Sequence, residues 1–450
     1  MDLVGRRVAG GTVAIAMALP ILWPGAAPGA GWSPAQTLSP GNGANPQVAV
    51  DGRGGALVAW QALRATGEYQ DPFEGEGVVF AERRAGGAFG SPRSLAGEPF
   101  ALRDLEVNDR GDAAVLLARR TQCGSPMFCP DEFRVAVRRA GKPFGTSAKV
   151  AGNAVFAGKV AIDERGQVVV VYAAQTGARP FEARIEARVK PPGRGFGRAD
   201  VITSRKQASS PTVGVDRRGN AIAVWSGPTS ARGAHGERLY GPFGSVRPPR
   251  GHFGRRRALG RPNGAVNPTV EFDSRGNAIL AWLDTYPTPP IVHAVRRPAG
   301  RSFRKPQRVG VGSAPKLAFG RGGTAVVHWT RQRAYNRLDP GFVSEAAFAA
   351  RGGKFGTVAD VAPEDADARI GFDRRGNAVA VLGHFHREGQ EQRGIEARTR
   401  PPGGAFGDPL TLSDPSGMQP QFETGPNGTG VAAWMIGGQD ARVQASVLEP

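Results

Sequence analysis

Val48-Ala-Val-Asp51-Gly-Arg-Gly54-Gly-Ala-Leu-Val-Ala-Trp60 is the first of eight variants of one fragment. An extended apolar run enters a turn built on Asp-x-Arg-Gly-Asn, and a second apolar run leaves it, usually ending in Trp. The last copy reads Phe422-Glu-Thr-Gly425-Pro-Asn-Gly428-Thr-Gly-Val-Ala-Ala-Trp434. With the Asp as anchor, the copies stand at Asp51, Asn108, Asp163, Asp216, Asp273, Gly320, Asp373 and Gly425, a period of roughly 50 residues that signals a repeat array. Gly follows each anchor by three: Gly54, Gly111, Gly166, Gly219, Gly276, Gly323, Gly376 and Gly428. A large apolar or aromatic residue follows by nine: Trp60, Leu117, Tyr172, Trp225, Trp282, Trp329, Leu382 and Trp434.

This pattern describes a β-hairpin. The run before the anchor alternates, as in Val213-Gly-Val215, the Asp side chain can accept backbone N–H bonds, and the Gly can take positive φ without a steric penalty. The second strand, for example Ala221-Ile-Ala-Val-Trp225, is apolar on both faces, as a strand sandwiched between sheets should be. A third strand such as Ile185–Val189 then leads to a Pro/Gly turn and a Phe with an aliphatic residue six beyond: Phe89/Leu95, Phe144/Val150, Phe196/Ile202, Phe253/Leu259, Phe303/Val309, Phe355/Val361 and Phe406/Leu412. Four strands per repeat is the arithmetic of a propeller blade. The eighth unit ends after its third strand, and Trp32-Ser-Pro-Ala-Gln-Thr-Leu38 at the other end of the chain carries the missing aromatic-plus-six spacing. The expectation is an all-β, eight-bladed β-propeller of four-stranded blades, closed by the N-terminal strand completing the last blade.

In blade pattern the chain resembles secreted bacterial β-propellers of the sialidase-like and NHL-like families. Its turn departs from the sialidase box Ser-x-Asp-x-Gly-x-Thr-Trp, since here the Trp lies six past the Gly. A sialidase resemblance implies three arginines gripping a carboxylate, a Tyr nucleophile paired with Glu, and an Asp acid; no position here matches well enough to receive one of those roles.

Arg6 and Arg7 precede the apolar run Val8–Leu22, and Pro24-Gly-Ala-Ala-Pro-Gly-Ala30 supplies small residues. This order reads as a signal peptide over residues 1–30, followed by one domain over 31–450 and secretion to the outside of the cell. No later stretch is long enough to span a membrane. In an exported chain the only two cysteines, Cys123 and Cys129, are expected to form a disulfide that pins a short loop. The composition, with 65 Gly and 37 Pro, suits a turn-rich β protein. The formal charge of +19 favours polyanionic partners, although the basic residues are spread along the chain, with one dense cluster at Arg247, Arg250, His252, Arg255, Arg256 and Arg257. Arginines also recur two after the anchor, at Arg53, Arg110, Arg165, Arg218, Arg275 and Arg375. The expectation is that each covers its own turn or pairs with the neighbouring Asp; a polyanion-binding ring is the alternative.

Chemistry belongs to what does not repeat. Loops after the second strands vary in length and share one face of the disc, so they are the candidate ligand-binding surface. Glu68, Tyr69, Asp71, Asp131, Tyr240, Asp284, Tyr286, Tyr335 and Asp339 fall in them or at their edges, and tyrosines with carboxylates suit sugar or peptide binding. His384-x-His386 has a spacing that could chelate a metal, with Glu388 as a third ligand, but two histidines at a strand end are the simpler reading. No nucleophile elbow, P-loop, dinucleotide-binding turn or zinc-finger spacing is present. The expected function is a non-catalytic, exported binding scaffold recognising an extracellular glycan, cell-surface polymer or protein on the variable face. Such a scaffold would be monomeric, without metal, cofactor or specific nucleic acid. The alternative is a sialidase-like glycan-active hydrolase.

Overall fold

Eight four-stranded antiparallel blades stand in a ring, in the architecture the repeat demands. The structure, a computed structural model, describes residues 31–450 apart from 40, 64–74, 98, 121–130, 178–181, 205–206, 234, 287, 334–340, 363–364, 386–392 and 438–440. The inner strands are Gly43–Val50, Phe100–Val107, the second half of Ala148–Ile162, Ser209–Val215, Ala265–Phe272, Ser313–Phe319, Ala366–Phe372 and Gly417–Thr424. Each lies beside the inner strands of both neighbours, and that of blade 1 lies against that of blade 8. Blades 2 and 3 share the 15-residue strand Ala148–Ile162, which is the outer strand of one and continues as the inner strand of the next.

The anchor residue explains its own recurrence. Asp216 Oδ1 accepts from the backbone N–H groups of Arg218 (2.9 Å) and Asn220 (2.8 Å), which closes the turn from within. Asp51, Asp163 and Asp273 make the same pair of bonds, and Asn108 does so with its amide oxygen. The Asn four past the anchor donates back to the second carboxylate oxygen in three turns, from Asn220, Asn277 and Asn377. All eight glycines of the motif have φ between +76° and +90°, a region costly to any residue with a Cβ.

Among the described residues, the buried apolar side chains form eight clusters, each drawn from two adjacent blades. The residue nine past the anchor is the wedge of each: Trp60, Leu117, Tyr172, Trp225, Trp282, Trp329, Leu382 and Trp434 are all at most 2% exposed. Four of them have their polar handle satisfied. Trp329 Nε1 donates to Glu345 (3.0 Å), Trp282 Nε1 to Asp284 (3.0 Å), Trp434 Nε1 to Gln444 (3.2 Å) and the Tyr172 hydroxyl to Glu186 (2.8 Å). Burial of these acids and amides is thereby compensated.

The ring closes as expected. Gln36–Thr37 pairs antiparallel with Arg442–Leu448, opposing Gln36 to Ala445 and Thr37 to Gln444. Ser33 N–H donates to Val447 O (2.7 Å), Leu38 N–H to Val443 O (2.8 Å), and Trp32 bridges to Leu448.

The turn glycines generate a graded prediction. A Cβ on Gly376 (φ +84°) meets nothing within 4 Å, so Gly376→Ala carries only left-handed strain, on the order of 1 kcal/mol. A Cβ on Gly54 (φ +89°) falls 2.5 Å from Thr429 Oγ1 and 2.7 Å from Asn427 Nδ2, across the blade 1–blade 8 junction. Gly54→Ala is therefore expected to lower the urea unfolding midpoint clearly more than Gly376→Ala does. Equal shifts would contradict the packing of those turns.

Candidate functional site

The inner strands enclose a channel of about 1340 Å³. Its lining runs from Asn45, Phe385 and Gln419 at the variable-loop face to Arg217, Ser274 and Arg321 at the hairpin-turn face. Strand alternation turns residues two and four before each anchor toward the lumen. The position four before is polar in every blade: Gln47, Asp104, Lys159, Thr212, Thr269, Lys316, Arg369 and Gln421. The position two before is Glu in blades 2, 5 and 8 (Glu106, Glu271, Glu423) and Ala or Gly in the others.

Three carboxyls therefore face one another deep in the channel, spaced three, three and two blades apart, and open to the lumen. Enclosure by the ring pushes all three upward; repulsion from neighbouring acids adds to it at Glu106 and Glu423, while at Glu271 the Lys159 ammonium pulls back: Glu271 lies at about 7, Glu423 at about 8, and Glu106 well above its ordinary value. On the same wall Lys159 Nζ lies 2.6 Å from Asp104 Oδ1, and that carboxylate raises the Lys159 ammonium. Among the described residues, no three of His, Cys, Asp and Glu come close enough to hold a metal ion.

Blade 7 breaks the pattern at the variable-face mouth. In five blades the residue six before the anchor precedes a proline and has positive φ: Asn45 (51°), Ser210 (50°), Asn267 (49°), Ala314 (49°) and Gln419 (53°). Strand register shifts at each of these points, as at a β-bulge. Blade 7 has Asp367-Ala368 there instead, and its register runs unbroken from Ala366 to Phe372. Unbroken alternation sends Asp367 to the lumen above Arg369. Lys316 Nζ meets one carboxylate oxygen of Asp367 at 3.0 Å, Arg369 holds the other, and the Thr330 hydroxyl adds a bond of 3.3 Å. Burial would raise the Asp367 carboxyl, but the two cations outweigh it and hold it at about 2. His328 lies behind them, fully buried, and burial and then Lys316 and Arg369 drive its pKa well down, so it is neutral. Phe385 stands at the same mouth, 43% exposed, with its ring centroid 5.4 Å from that of Phe342.

The structure distributes the residues expected from sequence quite differently. Glu68, Tyr69, Asp71, Tyr335, Asp339, His386 and the Cys123–Cys129 pair lie outside the described residues, as does the proposed signal peptide. Asp131 and Asp284 are strand residues at most 3% exposed; Asp131 pairs with Arg103 (3.1 Å), while Asp284 accepts from Trp282 and lies 3.2 Å from His293 Nε2. Tyr240 sits within the strand Arg238–Arg247, because the variable segment that follows Trp225 is largely an extension of the hairpin formed with Ala221–Arg232. Tyr286 is on a loop and 52% exposed. His384 lines the mouth, with Nε2 3.1 Å from Glu396 Oε2. The Tyr172–Glu186 pair has the composition of a sialidase nucleophile, but it is buried between blades, and burial raises the phenol well above its ordinary value. Among the described residues no tyrosine lines the channel. Asp367, Arg369 and the three glutamates lie on inner strands, outside the variable loops in which the sequence reading places the site. Inner-strand positions counted back from the anchor would have found all five.

The raised carboxyls predict a pH effect of definite sign. Glu271 and Glu423 bind their protons more tightly folded than unfolded, so they disfavour folding increasingly as pH climbs from the ordinary 4.5 through 7 and 8. Glu271→Gln and Glu423→Gln should therefore raise the thermal midpoint at about pH 9 and leave it unchanged near pH 4. A stabilisation independent of pH would contradict the channel electrostatics.

No family model and no curated protein match this chain. Solved structures resemble it at low identity. Polysaccharide lyase Uly1 is 10% identical over 86% of this chain and 97% of that one, with a TM-score of 0.49. The NanB sialidase from Streptococcus pneumoniae is 8% identical over 88% and 83%, with a TM-score of 0.42. Puromycin hydrolase is 17% identical over 90% of this chain and 61% of that one, with a TM-score of 0.40. At these identities no ligand or residue role transfers.

Proposed function

We propose that the protein is an exported, non-catalytic binding propeller that takes a carbohydrate at the variable-face mouth of its channel. The observation that carries this reading is the exposed Phe385 ring at the same channel mouth as the fixed Lys316–Asp367–Arg369 cluster. An exposed aromatic face can pack against the C–H face of a sugar, while oriented charged donors and an acceptor take its hydroxyls. The cluster carries one net positive charge, which accommodates neutral or acidic sugars and opposes cationic ones. Asp367 is gripped by two cations at the low end of the pH scale, so it serves as a fixed acceptor and poorly as a general base.

One observation favours the second reading, a glycan-active hydrolase. Glu271 and Glu423 keep their protons near neutral pH, as a general acid must.

A glycan array followed by calorimetry on the purified chain tests both. Phe385→Ala and Arg369→Ala should each weaken binding of the selected glycan by about tenfold or more, with no release of reducing ends. Binding indifferent to both substitutions overturns the proposal, and turnover that disappears in Glu271→Gln or Glu423→Gln establishes the hydrolase instead.

A further inference from the structure

The face opposite that mouth has its own chemistry. Each of the eight hairpin turns spans the same five residues between strand ends, from Val50 to Ala56 in blade 1 through to Thr424 to Gly430 in blade 8. The outer turns, between third and fourth strands, run eight or nine residues in blades 1 to 7, so around the channel's second opening no loop of this face stands out by its length.

Its exposed charge is mostly positive, with Asp408 and the Arg83-paired Glu449 as exposed acids. Arg53, Arg110, Arg165, Arg218, Arg275 and Arg375 are all exposed, whereas the acids of the eight hairpin turns are buried or half-buried: the anchors cap their turns, and Asp109 and Glu164 pair with Arg217 and Arg110. The expected pairing with a neighbouring acid is seen for Arg110 alone among these six. Arg110 reaches Glu164 at 4.0 Å and Arg275 donates to Gly322 O at 3.4 Å, but the side chains of Arg53, Arg165, Arg218 and Arg375 bond to nothing among the described residues. The outer turns add exposed cations, among them Arg84, Arg194, Arg301 and Lys354, against one exposed acid, Asp408. The large hydrophobic residues exposed among the described ones, Val201, Tyr286, Val358 and Phe385, all lie off these turns.

We propose that this arginine-ringed face rests on an anionic lipid bilayer, leaving the channel mouth and Phe385 directed away from it. A plane of fixed cations matches a plane of headgroup charges, so many contacts form at once without bending either partner. Duplex nucleic acid would need an element that enters a groove, and single strands would need exposed aromatic platforms; the face offers neither. With no apolar side chain to insert, binding is peripheral, reversible and screened by salt.

The test is co-sedimentation of the full chain with phosphatidylcholine vesicles carrying about 30% phosphatidylglycerol, alongside pure phosphatidylcholine and soluble dextran sulfate. Expected are binding to the anionic vesicles alone among the two lipids, loss of that binding toward about 0.5 M salt, and a fall of about a hundredfold when all six arginines become Gln. A milder variant changes only Arg53, Arg165, Arg218 and Arg375, whose side chains hold nothing together. It should melt like the parent and still lose about tenfold or more. Equal binding to both lipids, unchanged binding in the four-residue variant, or binding to dextran sulfate without binding to vesicles overturns the proposal.

Discussion

Closure of the ring is the constraint on which everything else depends. A blade buries only part of its apolar surface within itself; the rest is covered by the next blade, so an open array would leave two faces wet. The joint between the ends of the chain uses the same parts as the joints inside the ring. Gln36 clasps the backbone of Phe89 in blade 1 with both ends of its amide, at 2.8 and 3.0 Å, and Gln307 does the same to Phe355 at the junction of blades 5 and 6, at 2.7 and 3.0 Å. Asp200 accepts from Phe253 N–H at the equivalent place between blades 3 and 4. The seam adds bonds of its own, from Val443 N–H to Ser39 Oγ (2.8 Å), from the Ser446 hydroxyl to Ser33 O (2.7 Å), and an ion pair between the buried Arg83 and Glu449. Such a closed circle leaves no exposed inter-blade edge.

A rigid circle of inner strands also dictates where chemistry can collect. The lumen admits side chains only at alternate positions, and the narrowing of space toward the axis favours small residues there. Glu106, Glu271 and Glu423 are the exceptions at their level, and each bears a cost in ionisation for being there. Asp367 joins them only because blade 7 lacks the proline bulge that turns its counterparts aside. The two faces then differ in kind: one carries the channel mouth with Phe385 and the Lys316–Asp367–Arg369 cluster, and the other presents turns of uniform length with exposed Arg53, Arg165, Arg218 and Arg375.

What could be read from the sequence, and what could not, follows from the same physics. Asp or Asn capping, positive-φ glycine and the Trp wedge solve a problem that recurs in every blade, so they recur in the sequence and are visible without coordinates. The candidate-site positions are visible only relative to that frame. Asp367 looks ordinary until Pro46, Pro211, Pro268, Pro315 and Pro420 are set against Ala368. Asp131 and Asp284 looked like loop acids because strand ends here extend beyond the apolar run, and the segment that follows Trp225 looked like a loop because a polar hairpin extension lacks an apolar face. The basic cluster near residue 250 proved heterogeneous. Arg247 is buried, Arg256 lies over the Phe243 ring at 4.7 Å, and His252 stands 3.4 Å from Asp200. Part of the large positive charge is therefore structural, a role linear spacing does not reveal.

The most direct measurement is a cross-link across the seam. The side chains of Thr37 and Gln444 already touch at 3.3 Å on opposed residues of paired strands, and a cross-strand spacing of about 5 Å suits a disulfide. Peptide mapping of oxidised Thr37→Cys/Gln444→Cys should show the two segments joined within a monomer, with a higher unfolding midpoint than the reduced form. Cysteines that stay unjoined, or that join only between molecules, would show that the first and last strands do not meet and that the eight blades do not form a closed ring.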